Sequence, residues 1–188
     1  MSELVETLMT DAEERMAKAV ARAKSEYASI RSGRAAPQLV ERINVEAYGV
    51  SMKIVELASI SVPEARQLLV TPHDPSNLEA VERGIRSSDL GLSPSNDGRS
   101  LRLNFPPLTE ERRKELVRVV RQMAEDGRIA IRNIRRDIRK DLASAEGDGD
   151  MSKDELERAE KELDGLTQAQ EAQVDAALAD KEAELMEV

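Results

Sequence analysis

Apolar residues recur at steps of three and four positions in three long stretches of the chain. The first stretch runs from Ser2 to about Ile30 and contains neither Gly nor Pro. The second runs from Thr109 to about Ala145, and the third begins at Ser152 and continues to the C-terminus. Three amphipathic helices bury their apolar faces by packing together, so the pattern predicts a long three-helix bundle. The predicted buried positions are Val5, Leu8, Ala12, Met16, Ala19, Ala23, Tyr27 and Ile30 in the first helix, and Leu156, Ala159, Leu163, Leu166, Val174, Leu178 and Leu185 in the last.

The spacing of apolar residues shortens between Val40 and Phe105, where β-branched residues and Leu are frequent. This pattern, interrupted by Gly, Pro, Asn and Asp, is typical of short strands joined by turns. A capping box at Ser76–Glu79 predicts one short helix that ends near Ser87. The block is therefore predicted to be a compact α+β unit. Its predicted strands are Ile43–Tyr48, Lys53–Val62, Arg66–Thr71 and Ser100–Phe105.

The α+β block lies between the first and second long helices, so the chain crosses between two units twice. We predict a bundle made of residues 1–30 and 107–188 and an inserted domain of residues 31–106. The linkers are predicted near 31–37 and 104–107. Both contain Gly or Pro, which fits ordinary turns in a rigid protein and a two-strand hinge equally well. The residues assigned to a hinge are Arg31, Gly33, Arg34, Pro37, Phe105, Pro106 and Pro107.

Composition excludes several classes of function. The chain has no Cys and a single histidine, His73, so it offers no disulfide, no thiolate nucleophile and no ligand set for zinc. No apolar run approaches the ~20 residues of a membrane-spanning helix, and the acidic N-terminus is unlike a secretory signal. With no Gly-rich phosphate motif and no convergent acid/base pair, neither enzyme activity nor a cofactor or metal ion is expected. A soluble cytoplasmic protein is the simplest expectation.

Basic residues are segregated on the second long helix, although the net charge of the chain is −9. Between Arg113 and Arg139, nine basic residues lie on one side of the helix, and Glu125 is the only acid among them. The apolar positions of this helix lie on a separate side. At ~1.5 Å per residue this arginine stripe is about 40 Å long. Its members are Arg113, Lys114, Arg118, Arg121, Arg128, Arg132, Arg135, Arg136 and Arg139.

A one-sided row of arginines suits a nucleic-acid backbone, because each guanidinium can hold a phosphate through two N–H groups. A run of charges on a long helix is more often a solvated face, but the segregation of signs makes the two interpretations about equal. The chain has only three aromatic residues, so contacts to the backbone rather than base stacking are expected. The last helix carries twelve acids and four bases from Met151 onward, and we predict that it faces away from the nucleic acid.

Five motifs, spread along the chain in order, resemble those of the ribosome recycling factor family. They are Arg31–Ala35, Ser88–Leu92, Pro106–Lys114, Ile131–Asp137 and Ala179–Met186. The resemblance covers the whole length of the chain. It implies an α+β, L-shaped protein in which a long three-helix bundle carries a small β/α/β domain on two hinged linkers.

For function, the resemblance implies splitting of the ribosome into subunits after termination, together with the GTPase elongation factor G, so that mRNA and tRNA are released. The implied partners are RNA of the large ribosomal subunit, the 70S ribosome and elongation factor G, which the inserted domain would meet. Arg132 matches the family's key RNA-contacting arginine. Further RNA contacts are assigned to Arg113, Arg121, Arg128, Arg135, Arg136 and Arg139.

The alternative function is a helical scaffold or chaperone-like protein that docks onto partner helices, which the acidic last helix and the 35% charged residues would fit. The arginine stripe distinguishes the two, because a scaffold that binds only proteins does not need it. DNA binding is disfavoured by the overall acidity and by the lack of a recognisable docking module. Since the apolar faces can be satisfied within one chain, a monomer is expected.

Overall fold

The long helices and the short strands fall into separate units in the computed structural model, which describes residues 3–187. One unit runs up to Arg31 and resumes at Glu110, and the other is Ser32–Thr109. The elements are, in chain order, α1 (Glu3–Ser29), α2 (Gln38–Glu41), β1 (Asn44–Ala47), β2 (Val50–Lys53), α3 (Ile54–Leu57), β3 (Ala58–Glu64), β4 (Gln67–Pro72), α4 (Leu78–Ser87), β5 (Ser95–Asn96), β6 (Leu101–Asn104), α5 (Glu110–Gly147) and α6 (Lys153–Met186).

Helices α1, α5 and α6 pack against one another, which confirms the predicted three-helix bundle. Each helix buries residues at steps of three and four, as an amphipathic helix with one apolar face does. The fully buried side chains of this core are large and aliphatic, because the chain has few aromatic residues. They include Val5, Met16, Ile131, Ile138, Leu142, Leu163 and Leu185.

The predicted buried row of α1 is wrong in part. Met9 and Val20 are buried, whereas their neighbours Leu8 and Ala19 are only half-buried. Because α1 contacts both α5 and α6, its most buried line lies between the two contact faces. The periodicity of one helix does not tell which of two adjacent apolar residues is the more deeply buried when the helix contacts two partners.

Polar side chains occupy part of the buried row of α6. Thr167, Gln170 and Lys181 are buried although none of them is among the predicted buried positions. The Thr167 hydroxyl donates a hydrogen bond to the backbone oxygen of Leu163 at 2.7 Å, and Lys181 Nζ lies 3.2 Å from Glu184 Oε2. Polar groups can be buried here because a partner compensates for the lost water. The predicted residues that are only half-buried are Leu156, Leu166 and Leu178.

The start of α6 is the predicted capping box. The Ser152 hydroxyl accepts a hydrogen bond from Glu155 N at 3.3 Å, and Glu155 Oε2 accepts one from Ser152 N at 3.2 Å. Two otherwise unpaired N–H groups of the first helical turn are thereby satisfied. The loop that precedes it is short, since α5 continues to Gly147, two residues past the predicted end. A short loop makes α5 and α6 antiparallel neighbours.

The second unit contains two antiparallel sheets. β1 pairs with β2, and four strands follow the order β3-β4-β6-β5. Alternate residues of β4 and β6 point into one aliphatic core, where α4 adds the apolar face of a short amphipathic helix. The fully buried members of this core are Val40, Ile54, Leu68, Val70, Val81, Ile85, Leu101 and Leu103.

Two local predictions for this unit are wrong. The expected strand Lys53–Val62 is interrupted by the single turn α3, where Glu56 Oε2 accepts a hydrogen bond from Lys53 N at 3.0 Å. The expected N-cap Ser76 instead lies within a 3₁₀ turn, and the Asp74 carboxylate accepts its N–H at 2.9 Å. Glu and Asp side chains that accept hydrogen bonds from nearby backbone N–H groups favour turns over extended chain. Strand propensity alone does not reveal these hydrogen bonds.

Candidate nucleic-acid interface

The arginine stripe lies along the exposed side of α5, and acidic side chains of α6 face it. Five carboxylates of α6 form ion pairs with five of the stripe arginines. The partners run in opposite directions along the two antiparallel helices, so the pairs form a ladder. Its rungs are Arg121–Glu182, Arg128–Asp175 (3.2 Å), Arg132–Glu171 (3.7 Å), Arg135–Asp164 (3.4 Å) and Arg139–Glu160 (3.2 Å).

The sequence predicts that the acidic last helix faces away from the nucleic acid, whereas five of its acids lie against the arginines assigned to RNA binding. The five acids recur at steps of four and seven residues, which places them within about 60° on one side of α6. They flank the apolar contact with α5, where long charged side chains of neighbouring helices meet. The sequence signal was the spacing of Glu160, Glu171 and Glu182. It matches the eleven-residue spacing of Arg121 and Arg132, which pair with Glu182 and Glu171.

Glu125, the one acid within the stripe, joins two rungs. Its carboxylate is hydrogen-bonded to Arg132 and lies 3.0 Å from Nη1 of Arg128. Arg128, whose side chain is 24% exposed, therefore has carboxylates from both its own helix and α6. Arg132 is held in the same way between Glu125 and Glu171. Both guanidinium groups are thereby fixed in position at the middle of the stripe.

The rungs at the two ends of the ladder keep their arginines charged. The hydrogen bond that Arg121 donates to Glu182 raises the pKa of Arg121, and the one that Arg139 donates to Glu160 raises the pKa of Arg139. Since an arginine is already protonated at any physiological pH, the stripe stays cationic. Exposed pairs of this kind contribute about 0–1 kcal/mol each to stability. A phosphate can therefore replace a carboxylate at little cost to the fold.

Three stripe arginines form no ion pair with an acid within residues 3–187. Arg118 and Arg136 are exposed and lie on the side of the stripe away from α6. Arg113 is half-buried, and its Nε is buried without a hydrogen bond to any residue in that range. The stripe thus has an inner row that is paired with α6 and an outer row, Arg118 and Arg136, that forms no ion pair with the part of the chain that the structure describes. An outer row of this kind is a place for a polyanion to bind first.

The chain matches the family model described as ribosome recycling factor over residues 23–186. It is 52% identical to the ribosome-recycling factor of Rubrobacter xylanophilus over all 188 residues, which is 100% of both chains. It is 47% identical to that of Geobacillus sp., covering 98% of this chain and 100% of the relative. This chain belongs to the ribosome recycling factor family.

Solved structures of the family share the fold. The solution structure of a ribosome recycling factor superposes with a TM-score of 0.79 and 39% identity over 100% of both chains. A T. thermophilus ribosome recycling factor, described with E. coli elongation factor G bound to the E. coli post-termination complex, gives a TM-score of 0.64 and 42% identity. That match covers 97% of this chain and 99% of the relative.

Most residues assigned to a family-type hinge lie inside the second unit. Ala35 N donates to the backbone oxygen of Ala65 at 2.9 Å, and Phe105 N donates to that of Arg66 at 2.8 Å. Both linkers are thereby tied to the turn between β3 and β4. Gly33, Arg34, Pro37, Phe105, Pro106 and Pro107 all belong to the Ser32–Thr109 unit, whereas Arg31 ends the first unit.

Gly33 is where the two linkers meet. Its φ of +78° lies in the left-handed region that favours glycine. A Cβ at this position would lie 3.3 Å from Leu108 Cγ and 3.5 Å from the backbone oxygen of Pro106. The first linker therefore needs glycine here for its backbone conformation and for the closeness of the second linker.

Residues 3–187 contain neither a candidate metal site nor a candidate membrane-spanning helix. Among residues 3–187 no group of three or more His, Cys, Asp or Glu side chains is placed to hold a metal ion. Over the same residues, no helix combines the length and the apolar character needed to cross a membrane. The acids of the ladder are held by arginines rather than converging on a common point.

Proposed function

We propose that this protein recycles ribosomes: it binds the post-termination ribosome and, with elongation factor G and GTP hydrolysis by that partner, splits it so that mRNA and tRNA are released. The observation that carries the proposal is the arginine stripe on a chain that belongs to the ribosome recycling factor family. The T. thermophilus relative, described with elongation factor G on a post-termination complex, supports the same partners for this chain.

The bundle is the anchor on the large ribosomal subunit. Its stripe offers a row of guanidinium groups about 40 Å long, at ~1.5 Å per residue, to the phosphates of ribosomal RNA. Arg118 and Arg136 bind first, because no carboxylate competes for them within residues 3–187. Arg121, Arg128, Arg132, Arg135 and Arg139 then exchange a carboxylate of α6 for a phosphate, while Arg113 lies at the end of the stripe.

The protein itself is a non-catalytic factor. Nucleotide hydrolysis belongs to elongation factor G, and the role of this chain is to transmit force between two binding surfaces. We place it in the cytoplasm, where translating ribosomes are found, and we propose that it acts as a monomer. The buried faces of α1, α5 and α6 are satisfied within one chain, which supports a monomer.

The force is transmitted through the two chain crossings. The bundle stays anchored, elongation factor G pushes on the Ser32–Thr109 unit, and this unit is driven toward the contacts between the ribosomal subunits. Since Gly33 to Phe105 are held inside that unit, the rearrangement falls at the junctions that follow Arg31 and Thr109. Movement confined to two points limits torsion while it allows a swing.

Substitution of Arg132 should weaken binding to the ribosome while the protein stays folded. We expect Arg132→Ala to weaken binding to large subunits and to lower the slope of log affinity against log salt by about one, because one phosphate contact is removed. Splitting of post-termination ribosomes, followed by light scattering with elongation factor G and GTP, should be impaired. Arg158→Ala is the matched control, since Arg158 is an exposed arginine on α6 outside the stripe.

Three outcomes separate the alternatives. Equal binding and equal salt slopes for Arg132→Ala and Arg158→Ala would reject the stripe as the anchor. Failure of the folded wild-type protein to split ribosomes would reject recycling and favour a helical scaffold. Normal binding of Arg132→Ala together with lost splitting would move Arg132 from the anchor to the splitting step.

A further inference from the structure

The acidic residues of the ladder are placed more selectively than the solubility of a helix requires. Five of the acids of α6 lie on the one side that faces the stripe, and each is paired with a stripe arginine. Glu162 and Asp180, which lie on the opposite side of the same helix, are exposed and have no ion pair within residues 3–187. The ion pairs with α5 thus lie on the side of α6 that faces the stripe, and Glu162 and Asp180 on the opposite side make none within that range.

The ladder carboxylates lie against the guanidinium groups that are assigned to RNA phosphates. A carboxylate and a phosphate accept the same guanidinium N–H groups, so each ladder carboxylate engages N–H groups that a phosphate would otherwise accept. The five acidic side chains are 27–56% exposed. An incoming phosphate can thus reach each rung, but it must displace a carboxylate that stays nearby and repels it.

This competition acts differently on matched and unmatched RNA. An RNA that reaches only one or two arginines must displace one or two carboxylates, and its net gain in binding free energy is small. An RNA surface whose phosphates match the inner and outer rows displaces several at once, and it also uses Arg118 and Arg136 without competition. The affinity for an RNA thus depends on how well the spacing of its phosphates matches the arginines of the stripe.

We propose that Glu160, Asp164, Glu171, Asp175 and Glu182 are specificity determinants of the stripe, which keep unmatched RNA from binding and yield to a matched surface. This inference rests on the proposed function, because it assumes that the stripe binds RNA. It adds that the acidic face of α6 sets the ratio between ribosomal and non-specific affinity. Neutralising these acids should therefore raise affinity for the wrong RNA.

The test compares two pairs of isosteric substitutions in the full-length protein. Glu171→Gln with Asp175→Asn removes two rungs at the middle of the ladder, and Glu162→Gln with Asp180→Asn removes the same charge from the opposite side. Binding to an unrelated RNA duplex of about 20 base pairs is followed by fluorescence anisotropy across a range of salt concentrations. Binding to purified large subunits is measured in parallel.

We expect the ladder variant to bind the unrelated duplex ~3- to 10-fold more tightly than wild type, with a steeper salt slope, because more arginines reach phosphates. The control variant should change by less than about twofold, which is the contribution of net charge alone. Affinity for large subunits should rise less than affinity for the duplex, so the ratio between the two falls.

The proposal is overturned if the ladder variant binds the duplex no more tightly than the control variant. It is also overturned if the ladder variant binds both RNAs more weakly, since the acids would then only hold the arginines in position. If the first variant melts at a lower temperature, Glu160→Gln with Asp164→Asn tests the other end of the ladder. Weaker binding of Arg132→Ala alongside an unchanged ladder variant would reject this inference and keep the proposed function.

Discussion

At the scale of single residues, two glycines are required by contacts between elements rather than by turns. Gly84 on α4 faces β1, where an added Cβ would lie 2.6 Å from Cγ2 of Val45, a buried residue. Gly127 on α5 faces the other two helices of the bundle, with Ala23 Cβ at 3.3 Å and Val174 Cγ1 at 3.6 Å from such an atom. Both lie inside helices, where glycine lowers helix stability.

Substitution of Gly84 should therefore destabilise the second unit although alanine favours helix. We expect Gly84→Ala to cost about 1–3 kcal/mol through overpacking against Val45. Adding Val45→Ala should recover part of this loss, so the double variant loses less than the sum of the single variants. The measurement is the free energy of unfolding by denaturant titration.

The control for Gly84 is Gly165, an exposed glycine on α6 with no atom within 4 Å of an added Cβ. Gly165→Ala should stabilise the protein by roughly 0.5–1 kcal/mol through helix propensity alone. Equal effects of the two substitutions, or strictly additive effects of Gly84→Ala and Val45→Ala, would show that the contact with Val45 does not decide the outcome.

At the scale of elements, side chains that capture N–H groups determine where strands and helices begin and end. Asp97 Oδ1 accepts hydrogen bonds from Ser100 N at 2.7 Å and Arg99 N at 3.0 Å, and this closes the turn between β5 and β6. These backbone N–H groups, Ser100 first, lower the pKa of Asp97 below its ordinary value. The ionised carboxylate is thus preferred by the folded turn.

The Asp97 turn should give a pH-dependent contribution to stability. Because the folded pKa is lowered, the contribution is complete above the unfolded pKa of ~3.9 and is lost as the pH falls through the folded value. Asp97→Asn should therefore melt at a lower temperature than wild type at pH 7, and the difference should shrink toward pH 3. Calorimetry at both pH values measures it.

Glu46→Gln is the comparison for the turn, since Glu46 is an exposed acid of the same unit whose side chain forms no hydrogen bond with residues 3–187. At pH 7 it should lower the melting temperature by less than Asp97→Asn does. A melting difference for Asp97→Asn that is the same at pH 7 and pH 3 would mean that the charge of Asp97 does not contribute to the turn.

At the scale of the whole molecule, the two units have separate cores and are joined by two crossings. The core of the bundle comes from α1, α5 and α6, and that of Ser32–Thr109 comes from its own strands and α4. Both linkers are held by hydrogen bonds to Ala65 and Arg66 within the second unit. These features support the proposal that the unit moves as one body about its two junctions.

Locking the two units together should abolish splitting while binding persists. The chain has no Cys, so two introduced cysteines, one in each unit, can be joined by a bifunctional reagent without side reactions. We expect the locked protein to bind large subunits with wild-type affinity and to give no light-scattering change with elongation factor G and GTP. A protein joined within the bundle alone should stay active. Full splitting by the locked protein would contradict the hinge.

The sequence by itself determined features that arise from local patterns. The three long helices, the Ser152 capping box and the stripe on α5 follow from periods of 3.6 residues and from residues within one turn. Family membership was also readable, because the five motifs from Arg31 to Met186 are local sequences. The turn α3 and the cap at Asp74 were missed because their hydrogen bonds compete with strand and capping patterns that look equally favourable.

Only the tertiary structure decided which residues meet across elements. The choice of Met9 over Leu8, and the burial of Lys181, follow from two contact faces rather than one period. The pairing of Arg128 with Asp175 depends on the register between α5 and α6, which the packing of their apolar faces sets together with the loop that joins them. A charge pattern on one helix shows where a side chain lies around its own axis, and the neighbouring helix determines whether that charge is free or paired.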